Sequence, residues 1–261
     1  MMSREFQKVP LQRLVNVQSK IKSEFLVQES IITFHCIGIE GTLEPHTSLL
    51  GTPTLVNELH IGHLLSEGLI DKIPTIENFE FEMLNGKIHS YYNSEILKIP
   101  KPRLITTSCG ACNHPDLSVD QLHGKRIHHV QQLTHHDVKG ALEKMRAGMN
   151  LYESTGGCHG AALLGPRGDI QFVSEDIGRH NAVDKTIGLA VLSGIHSFDT
   201  FTLLLSGRCG WDIVAKATRI GIPIIASVGA FSTAALELAR ENEITLYGFV
   251  RESGAWKAGI N

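Results

Sequence analysis

Phe201-Thr202-Leu203-Leu204-Leu205-Ser206-Gly207-Arg208 is an unbroken apolar run that closes on a hydroxyl, a glycine and a guanidinium. A run of this length, bounded by turn residues, reads as a strand buried on both faces, which is what a parallel sheet covered by helices requires. The pattern around it repeats the alternation. A helix is predicted from Trp211 to Arg219, a strand from Ile222 to Ala226, a helix from Thr233 to Arg240 and a strand from Thr245 to Val250. Upstream, a helix is predicted from about His180 to Ser193. Ile170-Gln171-Phe172-Val173 follows the turn Pro166-Arg167-Gly168-Asp169 and makes a hairpin with the segment before it. Thr134 is a predicted N-cap for a helix running through Val138, Leu142, Met145 and Met149 to about Asn150. This order implies a three-layer α/β unit with a partly parallel sheet.

Ahead of that unit the signals differ. Residues up to about Lys22 lack a clear period and are read as an extended arm or edge strand. Ser30 to Ile39 is rich in β-branched residues and reads as a strand, with Cys36 a core thiol. Leu55, Leu59, Leu64, Leu65 and Leu69 suit a helix that Gly68 helps to end. Phe79, Phe81 and Met83 alternate with Glu80 and Glu82, and Asn85-Gly86 signals a type I′ hairpin. These make a smaller α+β domain over residues 1–102. Pro100 and Pro102 flank the junction to a second domain over 103–261, which opens on the strand Arg103-Leu104-Ile105-Thr106-Thr107.

The chain has 261 residues, 42% of them hydrophobic, and a formal charge of -3, so nothing calls for broad binding to nucleic acid or to a membrane surface. An anionic ligand must be met by a local cluster of Arg and Lys. Five irregularly spaced cysteines argue against a secreted disulfide framework. No run approaches the ~20 apolar residues of a membrane span, and the start carries no apolar signal core, so a cytoplasmic location is expected. There is no internal repeat or low-complexity tract.

Chemistry concentrates at Ser108-Cys109-Gly110-Ala111-Cys112. A Cys-x-x-Cys can be half of a zinc site, a dithiol redox pair, a sulfur carrier, or two unreactive cysteines. No second Cys-x-x-Cys completes a zinc site, although His114, His123, His128 and His129 follow, so no permanent metal is predicted. Asn113-His114-Pro115 is poor material for the helix that a thioredoxin-like pair opens. A zinc deaminase is excluded more firmly. None of the fourteen histidines is followed two places on by Glu, and Ser108 stands where Pro is required.

Ligands in such a sheet sit beyond the carboxyl ends of strands. Three segments lie there. Ser174 to Lys185 packs Asp176, Arg179, His180, Asn181, Asp184 and Lys185 around Gly178. Ser206-Gly207-Arg208 offers a fork suited to phosphate, and Ser227-Val228-Gly229-Ala230 occupies the same place after the next strand. A solvated helix cap with internal ion pairs is the bland alternative for the first. The density of different polar groups favours a site for a polar, phosphate-bearing ligand. Cys158 and Cys209 read as packing residues. Thr155-Gly156-Gly157 allows close backbone approach and is a candidate homodimer face.

The same stretches resemble the FdhD family of formate dehydrogenase accessory sulfurtransferases. The resemblance rests on Leu65-Ser66-Glu67-Gly68, the Cys109 to Cys112 motif, Thr155-Gly156-Gly157, Glu175 to Lys185, Leu205-Ser206-Gly207-Arg208 and Leu246-Tyr247-Gly248-Phe249. It implies a cytidine deaminase-like fold for the second domain. It also implies a persulfide relay from a cysteine desulfurase to the molybdenum cofactor of formate dehydrogenase, a bis(molybdopterin guanine dinucleotide). By the same resemblance Cys109 is the persulfide-bearing cysteine and Cys112 its companion, and Phe249, Val250, Arg251, Glu252, Ser253 and Gly254 contact the cofactor. The sequence departs from the family pattern at Asn113-His114-Pro115, at Cys209-Gly210-Trp211-Asp212, at Gly229-Ala230-Phe231-Ser232 and after Gly254. The rival function is a non-catalytic chaperone that binds and delivers the cofactor, which would tolerate loss of both cysteines.

Overall fold

A computed structural model of the chain describes residues 5–15, 18–38, 41–97, 104–105 and 132–259. The first element is a ribbon of β1 (Phe6–Val15) and β2 (Gln18–Val27), so the predicted arm folds back on itself as a hairpin. β3 (Ser30–Ile37) and β4 (Leu43–Gly51) follow, then α1 (Val56–Ser66) and the hairpin of β5 (Phe79–Leu84) and β6 (Lys87–Glu95). Asn85 and Gly86 both take positive φ, 52° and 75°, as a type I′ turn demands. β7 (Leu104–Ile105) pairs in parallel with β4, giving a sheet ordered β5-β6-β3-β4-β7.

The strand assigned to the opening of a second domain is bonded into the first sheet, because Ser48 and Leu49 of β4 offer it a free edge. β4 itself went unread because Pro45 interrupts its pattern. That proline sits opposite His35 where the β3–β4 register shifts, a place where a missing N–H is tolerated.

α2 (His135–Ala147) starts at the predicted cap: Asp137 N–H donates to Thr134 Oγ1 at 3.2 Å and Thr134 N–H to Asp137 Oδ2 at 2.8 Å. α3 (Asn150–Thr155), β8 (His159–Leu164), β9 (Ile170–Asp176) and α4 (Arg179–Leu192) come next. β10 (Thr202–Leu205), α5 (Trp211–Ile220), β11 (Ile224–Ser227), α6 (Thr233–Glu241) and β12 (Thr245–Arg251) follow the predicted alternation. β13 (Gly254–Ala258), a short return strand on the edge, was not foreseen.

The second sheet is ordered β13-β12-β11-β10-β8-β9, with β10, β11 and β12 parallel and the rest antiparallel. Its strands alternate as period two requires. Leu203, Leu205, Ile225 and Leu246 point into a core shared with α4, α5 and α6, whereas Leu204, Ile224, Ala226 and Tyr247 point to α2.

α1 joins the two sheets. Ile61 and Leu64 belong to the core with α4, while Val56 and Leu59 pack with Ile32, Phe34, Leu49 and Ile88 of the first sheet. The helices cross at glycines. A Cβ on Gly62 would lie 1.8 Å from the carbonyl oxygen of Asp184, and one on Gly188 would lie 1.9 Å from that of Glu58. No helix among the described residues is long and apolar enough to cross a membrane.

Candidate functional site

The predicted site residues divide by depth. Asp176 is fully buried and accepts from Thr52 N–H, Gly178 N–H and the Asn181 amide at 2.8–2.9 Å, with Lys185 Nζ at 2.7 Å. Lys185 also donates to Thr52 O, and Asn181 to Leu50 O, so this cluster ties α4 to the end of β4. Asp184 meets Lys216, Ser66 and His63 beneath α1. Asp176, Asn181, Asp184 and Lys185 therefore spend their polar atoms on protein partners that hold α4 to β4 and to α1. A buried charge needs such partners, and these have them.

Arg179 and His180 differ because they start α4, where the chain emerges from the sheet. Gly178 caps this helix with no side chain, leaving backbone N–H groups to favour an anion nearby. His180 touches Asp212 in the first turn of α5, and burial holds its imidazole down to about 4 despite that carboxylate. Arg179 reaches Asp212 at 3.9 Å, and its buried Nε has no hydrogen-bond partner. Arg208 is exposed beside them. His159 reports the resulting potential: its pKa is lowered by burial first and then by the Arg179 and Arg208 cations.

Beside this rim a pocket of about 870 Å³ opens between α2 and the carboxyl ends of β10, β11 and β12. Leu142, Met145 and Met149 form one wall and Val228 and Val250 the other. Arg146 stacks on the Tyr152 ring at 3.5 Å, and Ser206, His159 and Arg251 supply polar groups. The size and mostly apolar walls suit a flat ring system, and the arginines suit its anionic end. At the mouth, Lys139 bridges Glu143 at 2.8 Å and Glu252 at 2.9 Å.

Ser206, Val250, Arg251 and Glu252 thus line the pocket. Arg251 donates to Val228 O and Val250 O, fixing the wall it belongs to. Gly207 stays among the loops. Its carbonyl accepts from Ser227 Oγ and Gly229 N–H, and Gly229 comes so near that a Cβ there would lie 2.7 Å from Gly207 O. Phe249 is exposed at a positive φ of 52°, unusual for a bulky residue; Ser253 lies with Glu252 in the β12–β13 turn, and Gly254 opens β13 opposite Arg251. Cys109 and Cys112 lie outside the described residues.

Lys139, Arg146, Tyr152 and His159 were not singled out from the sequence. Arg146 sits one turn after Leu142 on a helix read only for its apolar face, so its direction could not be inferred. The three described cysteines match the packing reading. Cys36, Cys158 and Cys209 are all buried; burial first of all pushes Cys36 up to about 11 and the other two still higher, with Glu175 accepting from the Cys158 thiol.

A family model described as FdhD/NarQ matches residues 28–256. The chain belongs to the FdhD/NarQ family. Among its relatives, the sulfur carrier protein FdhD of Thermoplasma acidophilum is 34% identical over 88% of this chain and 83% of its own length. The sulfur carrier protein FdhD of Sulfurisphaera tokodaii is 29% identical over 95% and 94%. A solved structure assigned as a formate dehydrogenase accessory protein, from Desulfotalea psychrophila, superposes with a TM-score of 0.74 at 24% identity, over 98% of this chain and 97% of that one. That likeness bears on the mixed α/β fold alone.

Proposed function

We propose that this chain is a cytoplasmic sulfur carrier that accepts persulfide sulfur from a cysteine desulfurase on Cys109, with Cys112 beside it. It passes the sulfur to the molybdenum cofactor that formate dehydrogenase needs, its substrate being a bis(molybdopterin guanine dinucleotide). The observation that carries this reading is the state of the other thiols. A sulfur acceptor must attack as thiolate, and Cys36, Cys158 and Cys209 are buried with their thiols held protonated. Cys109 and Cys112 are the two remaining cysteines. Membership of a family whose relatives are named sulfur carriers agrees with it.

The same reading assigns the cofactor's ring and phosphates. A planar heterocycle enters the pocket between Met145, Met149, Val228 and Val250 and finds the Arg146–Tyr152 stack at its side. Its phosphates lie toward Arg179, whose Nε has no hydrogen-bond partner, and toward the exposed Arg208. Helices on both faces of the second sheet are what a cytidine deaminase-like layering would have, and we carry that assignment with the proposal.

Mass spectrometry of the protein after incubation with a cysteine desulfurase and cysteine tests the carrier directly. One added sulfur is expected on Cys109, and Cys109→Ser should abolish it. Labelling that proceeds at the parent's rate in the variant would sink the assignment and leave the cofactor-binding chaperone.

A further inference from the structure

Three sources of positive potential meet where α4 and α5 begin. Both helices are capped by glycine, α4 by Gly178 and α5 by Gly210, so neither cap residue sets a side-chain oxygen against the amino end. Arg179, the first residue of α4, is the third source. Into this corner the protein turns one carboxylate. Asp212 lies in the first turn of α5, where its Oδ1 accepts from Ile213 N–H at 3.1 Å. Its Oδ2 faces α4, touching His180 Nε2 and lying 3.9 Å from Arg179 Nη2. The carboxylate is enclosed, with a side chain 13% exposed and a backbone so near that a Cβ on Gly210 would lie 2.5 Å from Oδ1.

A helix amino end beside a guanidinium is what a phosphate seeks, so Asp212 stands where an external anion would otherwise go. Its hold on Arg179 is incomplete. At 3.9 Å the two are past hydrogen-bonding distance, and the buried Nε of Arg179 has no hydrogen-bond partner, so the guanidinium keeps donors for a second anion. The same pair of helices shows what a structural contact looks like: Asp184 of α4 meets Lys216 of α5 at 2.9 Å. Asp212 is placed to balance the rim rather than to lock it.

We infer that Asp212 is a built-in competitor for the nucleotide's phosphates, which balances Arg179 when no nucleotide is bound and opposes the phosphates when they arrive. The inference rests on the nucleotide reading above and concerns how tightly that ligand is held. Like charges at close range weaken binding, and a carrier that must pass its cofactor on is served by a grip that can be released.

Isothermal calorimetry on the full chain with GDP, GMP and guanosine as probes tests it, with far-UV circular dichroism confirming that the variants fold. Asp212→Asn removes the charge and keeps the size of the side chain and an acceptor for Ile213 N–H. It should bind GDP at least about fivefold more tightly than the parent, GMP by a smaller factor and guanosine no differently. The gain should shrink as salt rises. Asp212→Ser also keeps an acceptor and should give the same order if the Asn variant does not fold. GDP held equally or more weakly by the variant overturns the inference and makes Asp212 an anchor for Arg179, while the nucleotide reading survives. An equal gain for guanosine overturns it too, because the charge would then not act on phosphate. If neither parent nor variant binds GDP, the nucleotide reading falls and takes the inference with it.

Discussion

Along the seam where α1, α4 and α5 meet, Lys216 donates to Ser66 and Asp184 and pairs with Glu67 at 2.7 Å, while His63 closes on Asp184 from the other side. At the pocket rim, by contrast, Arg208 stands exposed and Arg179 keeps a buried Nε with no hydrogen-bond partner. Both regions derive from the same run, since Asp184 and Arg179 are five positions apart on α4. The difference is one of saturation. Burial alone would neutralise Lys216, Asp184 and Glu67, yet their mutual attraction reverses each shift, raising the lysine and lowering both acids. A group so committed holds the fold, whereas the rim is left incomplete by the protein and can be completed by a ligand.

The largest expected effect would break the seam. Lys216→Ala leaves the buried Asp184 without its lysine, while the half-buried Glu67 keeps Arg219 at 3.7 Å, and the loss at Asp184 costs about 3–5 kcal/mol. Denaturant unfolding should show it as a lower midpoint with unchanged slope. A loss under ~1 kcal/mol would mean that the seam tolerates water and that the contrast with the rim is false.

A second, smaller effect comes from the histidines packed beside the seam. His46 Nε2 faces His60 Nε2 at 3.2 Å, His60 bonds Ser90, and Phe34 stacks on His60 at 4.2 Å. Burial first, then neighbouring histidines, pulls His46 from 6.5 to about 3 and His60 well below its ordinary value. The folded protein keeps both neutral, so the unfolded chain binds the protons. Stability is therefore full above pH 6.5 and falls as pH drops beneath it, by about 2 kcal/mol per histidine at about pH 5. A flat stability profile across that window would show that these rings are hydrated.

At the rim the same test should read affinity instead of stability. Arg208→Ala should weaken GDP, used as a probe of the cofactor's nucleotide end, by about ten to a hundredfold. Its unfolding free energy should move by no more than ~0.5 kcal/mol, because the side chain is exposed. Calorimetry that finds unchanged GDP binding here and in Arg179→Ala would reduce the rim to a solvated helix cap.

Much of the second sheet was legible because Leu203-Leu204-Leu205 and its successors are buried on both faces and leave no competing period. The pairing of β7 with β4 was not, since two residues carry no pattern and only the partner edge decides. Within the candidate site, the polar run Asp176 to Lys185 announced itself by composition. Composition could not say that Lys185 would point at Thr52 while Arg179 reached toward Asp212 of α5, because that depends on which elements cover each face of α4. His159 and Arg146 were missed for the converse reason: His159 is a single polar residue in a glycine-rich stretch, Arg146 is one of several charged residues along α2, and only the fold brings either to the pocket.

The smallest expected effect sharpens the comparison most, because it asks whether the rim works without the thiols. The pocket is lined from α2, α3, the start of β8 and the ends of β10 to β12, and Arg179 stands on α4, which hydrogen-bonds to β4. Rigid elements hold a site more exactly than loops do, so nucleotide binding should be set by these elements. Cys109→Ala combined with Cys112→Ala is therefore expected to leave GDP affinity within about threefold of the parent, under ~0.7 kcal/mol, while eliminating activation of formate dehydrogenase. An active dehydrogenase in a strain carrying only the double variant would hand the function to the chaperone. Loss of GDP by the variant would place the thiols inside the binding site itself, and the division between a saturated seam and an open rim would then have to include a third, sulfur-bearing wall.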